Sequence, residues 1–249
     1  MDLALKGKVA LVTGGSRGIG AAIALELGRQ GCHVAVTCRG QVEAAEAVAK
    51  QIQGFGGRTL VAKADVADFK ESQKVVDTVI KELGGLDILV CNAGITMDGV
   101  IWKMTEEQWD AVITTNLKGY FNYNRAVASI FKDQKYGKIV NISSINGIRG
   151  KFAQVNYSAS KGGEIAMTKA LAKEMGKFNV NCNVVAPGMV MTDMAAKLPP
   201  DVVERAVNET VLGRIASSED IANVVVFLCT DRSRHITGEV IKVDGGQYI

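Results

Sequence analysis

Thr13-Gly14-Gly15-Ser16-Arg17-Gly18-Ile19-Gly20 is the stretch whose surroundings decide the fold. It follows directly on Lys8-Val9-Ala10-Leu11-Val12, a short apolar strand. A helical pattern then runs over residues 21–30 and stops at Gly31, a C-cap residue. His33-Val34-Ala35-Val36-Thr37-Cys38 reads as a second strand and completes a β–α–β unit. Gly14, Gly18 and Gly20 let the backbone turn tightly, approach a pyrophosphate and pack the helix onto the sheet. Unpaired N–H groups at the helix start then face a phosphate. Glycines alone mark only turns, but a strand before them and a helix after them make the turn, with Ser16, Arg17 and Ile19 inside it, a dinucleotide-binding candidate.

The end of the second strand bears on which dinucleotide fits. NAD sites place an Asp or Glu about 20 residues beyond the glycines, where it accepts from the ribose 2′-hydroxyl. This chain has Cys38 there, followed by Arg39, and Arg17 adds a second guanidinium. Two cations and no carboxylate suit a 2′-phosphate, which arginine grips with paired charge-assisted hydrogen bonds. The expectation is NADP(H), against the plainer alternative of two arginines that merely face solvent.

Onward, strands and helices alternate. Residues 41–55 form a helix closed by Gly56-Gly57, and 59–62 a third strand leading to Asp65-Val66. Asp68 caps a helix over 68–83 that breaks at Gly84-Gly85. Residues 87–90 read as a fourth strand, apolar from Ile88 onward, as a strand covered on both faces requires. Cys91-Asn92-Ala93-Gly94 follows at its carboxyl end, the edge where open parallel sheets bind ligands. Thr105 opens a helix towards residue 131, with Glu107 and Gln108 near its capping-box position and Asn116, a poor helix former, inside it. Strands at 138–142 and 180–185 flank a helix at 157–177, where Gly162, Gly163 and Ala166 would let another element come close. Pro187-Gly188 ends the sixth strand, Ser217 or Ser218 caps a helix to residue 228, and 239–243 is the last strand. Between these, 189–200 has no clear period but carries Met189, Met191 and Met194, and 201–211 reads as a helix. Together they suit an adaptable apolar lid over about 189–211. With no repeat or linker, the expected fold is α/β, a single domain over 1–249 with one doubly wound parallel sheet and helices on both faces.

Composition excludes several function classes. A chain of 249 residues, 47% hydrophobic and 22% charged, is ordinary for a globular protein with a sizeable core. A net charge of +3 without a basic run argues against a nucleic-acid partner. The longest apolar run, residues 224–229, is far too short to span a bilayer, and the first residues lack a signal peptide's apolar stretch. Five cysteines, an odd number without C-x-x-C spacing, read as buried reduced thiols in a cytoplasmic protein. With only His33 and His235, no metal site and no Ser–His–Asp hydrolase is expected.

Asn156-Tyr157-Ser158-Ala159-Ser160-Lys161 carries the chemistry. A tyrosine and a lysine four apart share one helix face, and a nearby ammonium favours phenolate over phenol. Such a tyrosine can give or take a proton near neutral pH. Alone, the pair is as easily an aromatic and a solvated lysine on an amphipathic helix. Its weight comes from Ser144, thirteen residues upstream at the end of the strand Ile139-Val140-Asn141-Ile142-Ser143, and from the glycine turn.

Thr13-Gly14-x-x-x-Gly18-x-Gly20, Asn92-Ala93-Gly94, Asn116, Ser144 and Tyr157-x-x-x-Lys161 together resemble the classical short-chain dehydrogenase/reductase family, over essentially the whole chain. Pro187-Gly188-x-Val190-x-Thr192 is similar to that family's segment contacting the nicotinamide carboxamide. Cys91 stands where many members have a second asparagine. The resemblance implies a Rossmann-type sheet of seven parallel strands in the order 3-2-1-4-5-6-7. It implies that Asp65 and Val66 contact adenine and that Asn92 lies along the adenosine. Tyr157 would donate the proton to a carbonyl oxygen, Ser144 would polarise that oxygen, and Lys161 would tune Tyr157 and hold the nicotinamide ribose. Asn116 resembles the residue that anchors a water behind the lysine. Within the family, the chain looks most like reductases of 3-oxoacyl thioesters on acyl carrier protein and on CoA, which implies a homotetramer built through the 105–131 and 157–177 helices and the C-terminal strand. Phe152 and Gln154 look like acyl-pocket residues of the CoA branch. Lys135 falls where the carrier-protein branch has a basic residue, whereas Phe178 stands where that branch often has an arginine. Another ketone reductase or alcohol dehydrogenase of the family is one alternative; a nucleotide-sensing protein on the same fold is another, against which the intact Asn116, Ser144, Tyr157 and Lys161 argue.

Overall fold

Every side chain of β1 (Val9–Val12) is buried, and alternate ones enter different cores. Ala10 and Val12 join Ile23, Ala24 and Leu27 of α1 (Gly18–Arg29), while Val9 and Leu11 join Val75, Val76 and Val79 on the opposite side of the sheet. The two-residue period of a strand thus divides one apolar run between two helical layers.

The structure, a computed structural model, describes residues 5–192 and 199–249. After α1 come β2 (His33–Cys38), α2 (Val42–Gly54), β3 (Thr59–Lys63), α3 (Phe69–Leu83) and β4 (Ile88–Cys91). α4 (Glu106–Val112), a π-helical turn (Ile113–Lys118) and α5 (Gly119–Gln134) run on as one long helix, before β5 (Gly137–Ile142). A short α6 (Asn146–Arg149), the long α7 (Val155–Met175) and β6 (Val180–Pro187) follow. The chain ends with β7 (Val190–Met191), α8 (Pro200–Asn208), β8 (Ala216–Ser217), α9 (Ser218–Cys229) and β9 (Val240–Val243).

Seven strands form one sheet in the order β3-β2-β1-β4-β5-β6-β9, every neighbouring pair parallel. This is the order that the resemblance implies, with β9 as the seventh strand. α1, α2 and α9 pack on one face, and α3, α5 and α7 on the other. Strand order reverses between β1 and β4, and the crevice at their carboxyl ends is where such a sheet binds ligands.

The end signals are built as read. Asp68 accepts from Glu71 N (2.8 Å), Gly84 is left-handed, and Thr105 and Gln108 close a reciprocal capping box. Of the two serines before α9, Ser217 is the cap. Gly163 must be small, because a Cβ there would lie 2.8 Å from Leu117 Cδ2. Ala166, by contrast, is exposed in this chain. The π-helical turn, α6 and the small β7–β8 pair are too short to carry a hydrophobic period and go unread in the sequence. α8 ends at Asn208, short of residue 211. Met194 and the rest of 193–198 lie outside the described residues.

Candidate active site

The glycine turn is shaped by contacts that a side chain would destroy. Gly14 (φ 64°) and Gly18 (φ 54°) have left-handed backbones. A Cβ on Gly20 would lie 2.2 Å from Gly14 O and 2.4 Å from Asn92 Nδ2. Asn92 holds the turn from across the crevice, its Nδ2 donating to Thr13 O (3.0 Å) and Gly14 O (3.1 Å). Thr13 Oγ1 accepts in return from Asn92 N (2.9 Å) and Ala93 N (3.2 Å). The loops after β1 and β4 are therefore stitched together, and Asn92 serves as a strut as well as a wall.

A cleft of about 690 Å³ opens beside this turn. Gly14, Ser16, Arg17, Gly18, Ile19 and Gly20 line one side. Arg39, Asp65, Val66, Asn92, Ala93 and Gly94 line the neighbouring strand ends. A second hollow of about 280 Å³ has Ser144, Tyr157 and Lys161 on one wall and Pro187, Val190 and Thr192 on another. Ile19, Asn92, Gly94, Ile95 and Thr192 border both, so the two form one groove. The groove fits a nicotinamide dinucleotide: its bare glycine backbone offers N–H groups to phosphates. Arg17 and Arg39 are exposed at one end, and among the described residues neither makes an ion pair.

The reacting groups converge at the other end. Ser144 sits just past β5, its Oγ accepting from Asn146 N (3.1 Å). Tyr157 stands in the first turn of α7. Desolvation holds its phenol above the ordinary value; Lys161 pulls the other way, Glu164 adds to the rise, and Ser144 lowers it through a hydrogen bond. The expected effect of Lys161 is present in sign, but here burial outweighs it. Lys161 Nζ lies 5.7 Å from the Tyr157 ring centroid. It donates to Ile142 O (2.8 Å) and to both Glu164 oxygens (2.8 and 3.2 Å), with the Tyr120 hydroxyl at 3.5 Å. Glu164 is wholly buried, and desolvation lifts its carboxyl to about 8 against the pull of Lys161.

Asn116 is fully buried in the π-helical turn. Its Oδ1 accepts from Ile95 N (2.9 Å), and its Nδ2 donates to Ile95 O (3.0 Å) and Ser160 Oγ (3.1 Å). The widened turn lets a mid-helix amide clamp the loop after β4, a typical use of π-bulges. Two expected substrate residues do not line the groove. Phe152 is 80% exposed, and Gln154 is buried, donating to Asp98 Oδ2 (2.9 Å) and accepting from Asn146 Nδ2 (3.1 Å). Three participants escaped the sequence reading: Thr13 as a staple, and Tyr120 and Glu164 around the lysine. Only Glu164 had a legible signal, its place three residues after Lys161 on the same helix face.

A model of the short chain dehydrogenase family matches residues 8–202, and the chain belongs to the short-chain dehydrogenase/reductase family. It is accordingly an oxidoreductase that works with a nicotinamide cofactor. The 3-oxoacyl-(acyl-carrier-protein) reductase FabG of Staphylococcus aureus (strain Mu50 / ATCC 700699) is 43% identical to it, over 97% of this chain and 98% of the relative. The acetoacetyl-CoA reductase of Shinella zoogloeoides is also 43% identical, over 97% and 98% respectively. A solved structure from Sinorhizobium meliloti 1021, assigned to the short-chain alcohol dehydrogenases, superposes with a TM-score of 0.95 at 39% identity. That match covers 99% of this chain and 98% of the other.

Proposed function

We propose that the protein reduces 3-oxoacyl thioesters to (3R)-3-hydroxyacyl thioesters with NADPH. The observation that carries the reading is one continuous groove, with a Ser144–Tyr157–Lys161 wall at one end and, at the other, two guanidiniums that make no ion pair among the described residues. The relatives named above, on carrier protein and on CoA, support the thioester class. Bound nicotinamide supplies a hydride to the carbonyl carbon. Ser144 and Tyr157 hydrogen-bond the carbonyl oxygen, which fixes its angle and stabilises the charge it gains. Tyr157 then hands its phenolic proton to that oxygen. Lys161 lines the hollow beside Tyr157, where its ammonium, shared with Glu164 and Ile142 O, would reach the ribose hydroxyls and would favour the phenolate left behind. The Asn116 amide is spent on Ile95 and Ser160, so a water that returns the proton would rest on the backbone of that turn. Asp65 and Val66 would border the adenine, and Pro187, Val190 and Thr192 the carboxamide.

Cofactor choice rests on Arg17 and Arg39. Arg39→Ala is expected to weaken NADPH by about ten- to a hundredfold, the worth of one charge-assisted hydrogen bond, and to leave NADH nearly unchanged. Equal losses in a fluorescence titration of both cofactors would reduce Arg39 to a structural role.

The thioester carrier is the finer question. Phe178 stands where an arginine is expected, yet Lys132 and Lys177 place their ammonium groups 5.8 and 5.1 Å from its ring centroid, and Asn179 Nδ2 donates to Lys135 O (3.2 Å). Two ammonium groups therefore flank the apolar ring, and Lys135 is tied to the next residue, Asn179, through its backbone carbonyl. Such rim charges raise the encounter rate with an acidic carrier and fade with salt, over a Debye length of about 8 Å at physiological strength. The enzyme should reduce acetoacetyl-CoA appreciably, with only a modest, salt-sensitive advantage for the carrier-protein form. Phe178→Arg should raise kcat/KM for the carrier-protein substrate at low salt alone. Steady-state rates on both substrates with both cofactors test the whole reading. No turnover of either thioester, beside fast reduction of a simple ketone, would replace it with a general ketone reductase.

A homotetramer in the cytoplasm completes the proposal. Trp109, Phe121 and Ala166 leave apolar surface exposed on α4, α5 and α7, and all five cysteines are unpaired thiols, as a reducing compartment requires. Residues 189–211, around α8, would serve as the lid.

A further inference from the structure

The inward face of α7 is polar where an amphipathic helix would be apolar. Its buried positions include Ser160, Lys161, Glu164 and Thr168. Glu164 has no exposed surface, and the proposed chemistry makes no use of it. Both its oxygens meet Lys161 Nζ, at 2.8 and 3.2 Å. The ammonium is held from a second side by Ile142 O (2.8 Å), which also accepts from the Tyr120 hydroxyl (3.0 Å). The lysine that faces Tyr157 is thus half of a closed ion pair.

We propose that Glu164 is a positioning residue: it holds the Lys161 ammonium against the Ile142 carbonyl and offsets its charge, so that Tyr157 keeps its proton into the alkaline range. The inference rests on the reading of Tyr157 as proton donor. A reductase needs the phenol, whereas an uncompensated ammonium beside Tyr157 favours phenolate. The titratable groups facing Glu164 are few. Lys161 and Tyr157 come from its own helix, Tyr120 from α5 and Cys91 from β4. Burial pushes Tyr120 and Cys91 well up, so both stay neutral, and Lys161 is the charge that Glu164 balances. As pH rises past the point where Glu164 ionises, its negative charge opposes a second one on Tyr157, and the two titrations are coupled.

The test uses the full-length chain without substrate. Tyrosinate absorbance is titrated in wild type, Glu164→Gln and Glu164→Asp, each against a Tyr157→Phe reference, and the alkaline limb of kcat/KM for carbonyl reduction is measured beside it. Glu164→Gln keeps an acceptor for Lys161 but loses the charge, so its Tyr157 step should fall about one to two pH units below that of wild type. The alkaline limb should move down equally, and Glu164→Asp should restore most of the wild-type position. A purely structural role predicts coincident steps for wild type and Glu164→Gln, and that result overturns the proposal. Should Glu164→Gln fail to fold, Glu164→Ser carries the same comparison: a Tyr157 step below that of wild type supports the charge offset, and coincident steps refute it. A shifted step with an unmoved limb supports the hold on Tyr157 and strikes the donor reading instead. Because the titration needs no thioester, an error in the substrate class leaves it standing.

Discussion

Tyr157→Phe is expected to lower kcat for the proposed carbonyl reduction by about 100- to 10,000-fold, the usual contribution of a positioned acid. Binding of the nicotinamide cofactor should change little, because the ring, its place in the first turn of α7 and the rest of the groove are retained. No buried partner is orphaned, since among the described residues only Ser144 is a hydrogen-bonding neighbour of the phenol. Wild type loses activity as pH rises through the Tyr157 titration, and the variant's residual rate should lose that alkaline limb. Fluorescence titration with NADPH and a pH series of steady-state rates check both halves. A variant that reduced the substrate at near wild-type rate would remove Tyr157 as the acid and leave Ser144 and solvent to supply the proton.

Gly20→Ala should be nearly as damaging, through binding rather than chemistry. The added methyl would start 2.2 Å from Gly14 O and 2.4 Å from Asn92 Nδ2, neither of which is a flexible side-chain end free to swing away. Asn92 is committed to Thr13 O and Gly14 O, so relief moves the glycine turn and the loop after β4 together. Overpacking of this kind costs about 1–3 kcal/mol of stability. Misplacing the turn's N–H groups, each worth about 1.5–3 kcal/mol towards a charged phosphate, should weaken the dinucleotide by about a hundredfold or more. Thermal unfolding and cofactor titration separate the two effects. Unchanged cofactor affinity would show that the turn is not the phosphate cradle.

Most of the fold was legible because its signals are local. The strands around residues 9–12 and 88–91 are unbroken apolar runs, and Asp68, Thr105, Ser217 and Gly84 punctuate their helices by chemistry confined to a few neighbouring residues. The glycine turn and the Tyr157–Lys161 spacing were legible for the same reason, and family resemblance added the strand order. Hydrophobic periodicity failed on α7, whose inward stripe is polar and finds its partners in Tyr120 and Ile142, 41 and 19 residues from Lys161. It also missed the π-helical turn around Asn116. Resemblance put Phe152 and Gln154 in an acyl pocket, and neither borders the groove described above. There Asp98, 56 residues before Gln154, holds the amide in a part-buried hydrogen bond. What the sequence determined by itself is the alternating βα frame and the residue types at its carboxyl edge, since apolar runs, caps and left-handed glycines act within a few residues. Only the tertiary structure decided what closes around Lys161 behind that edge, since Glu164 shares its helix face but Tyr120 and the Ile142 carbonyl come from α5 and β5. Packing brings a carboxylate, a tyrosine and a strand carbonyl onto one lysine from three elements, and burial then sets how tightly each holds its proton.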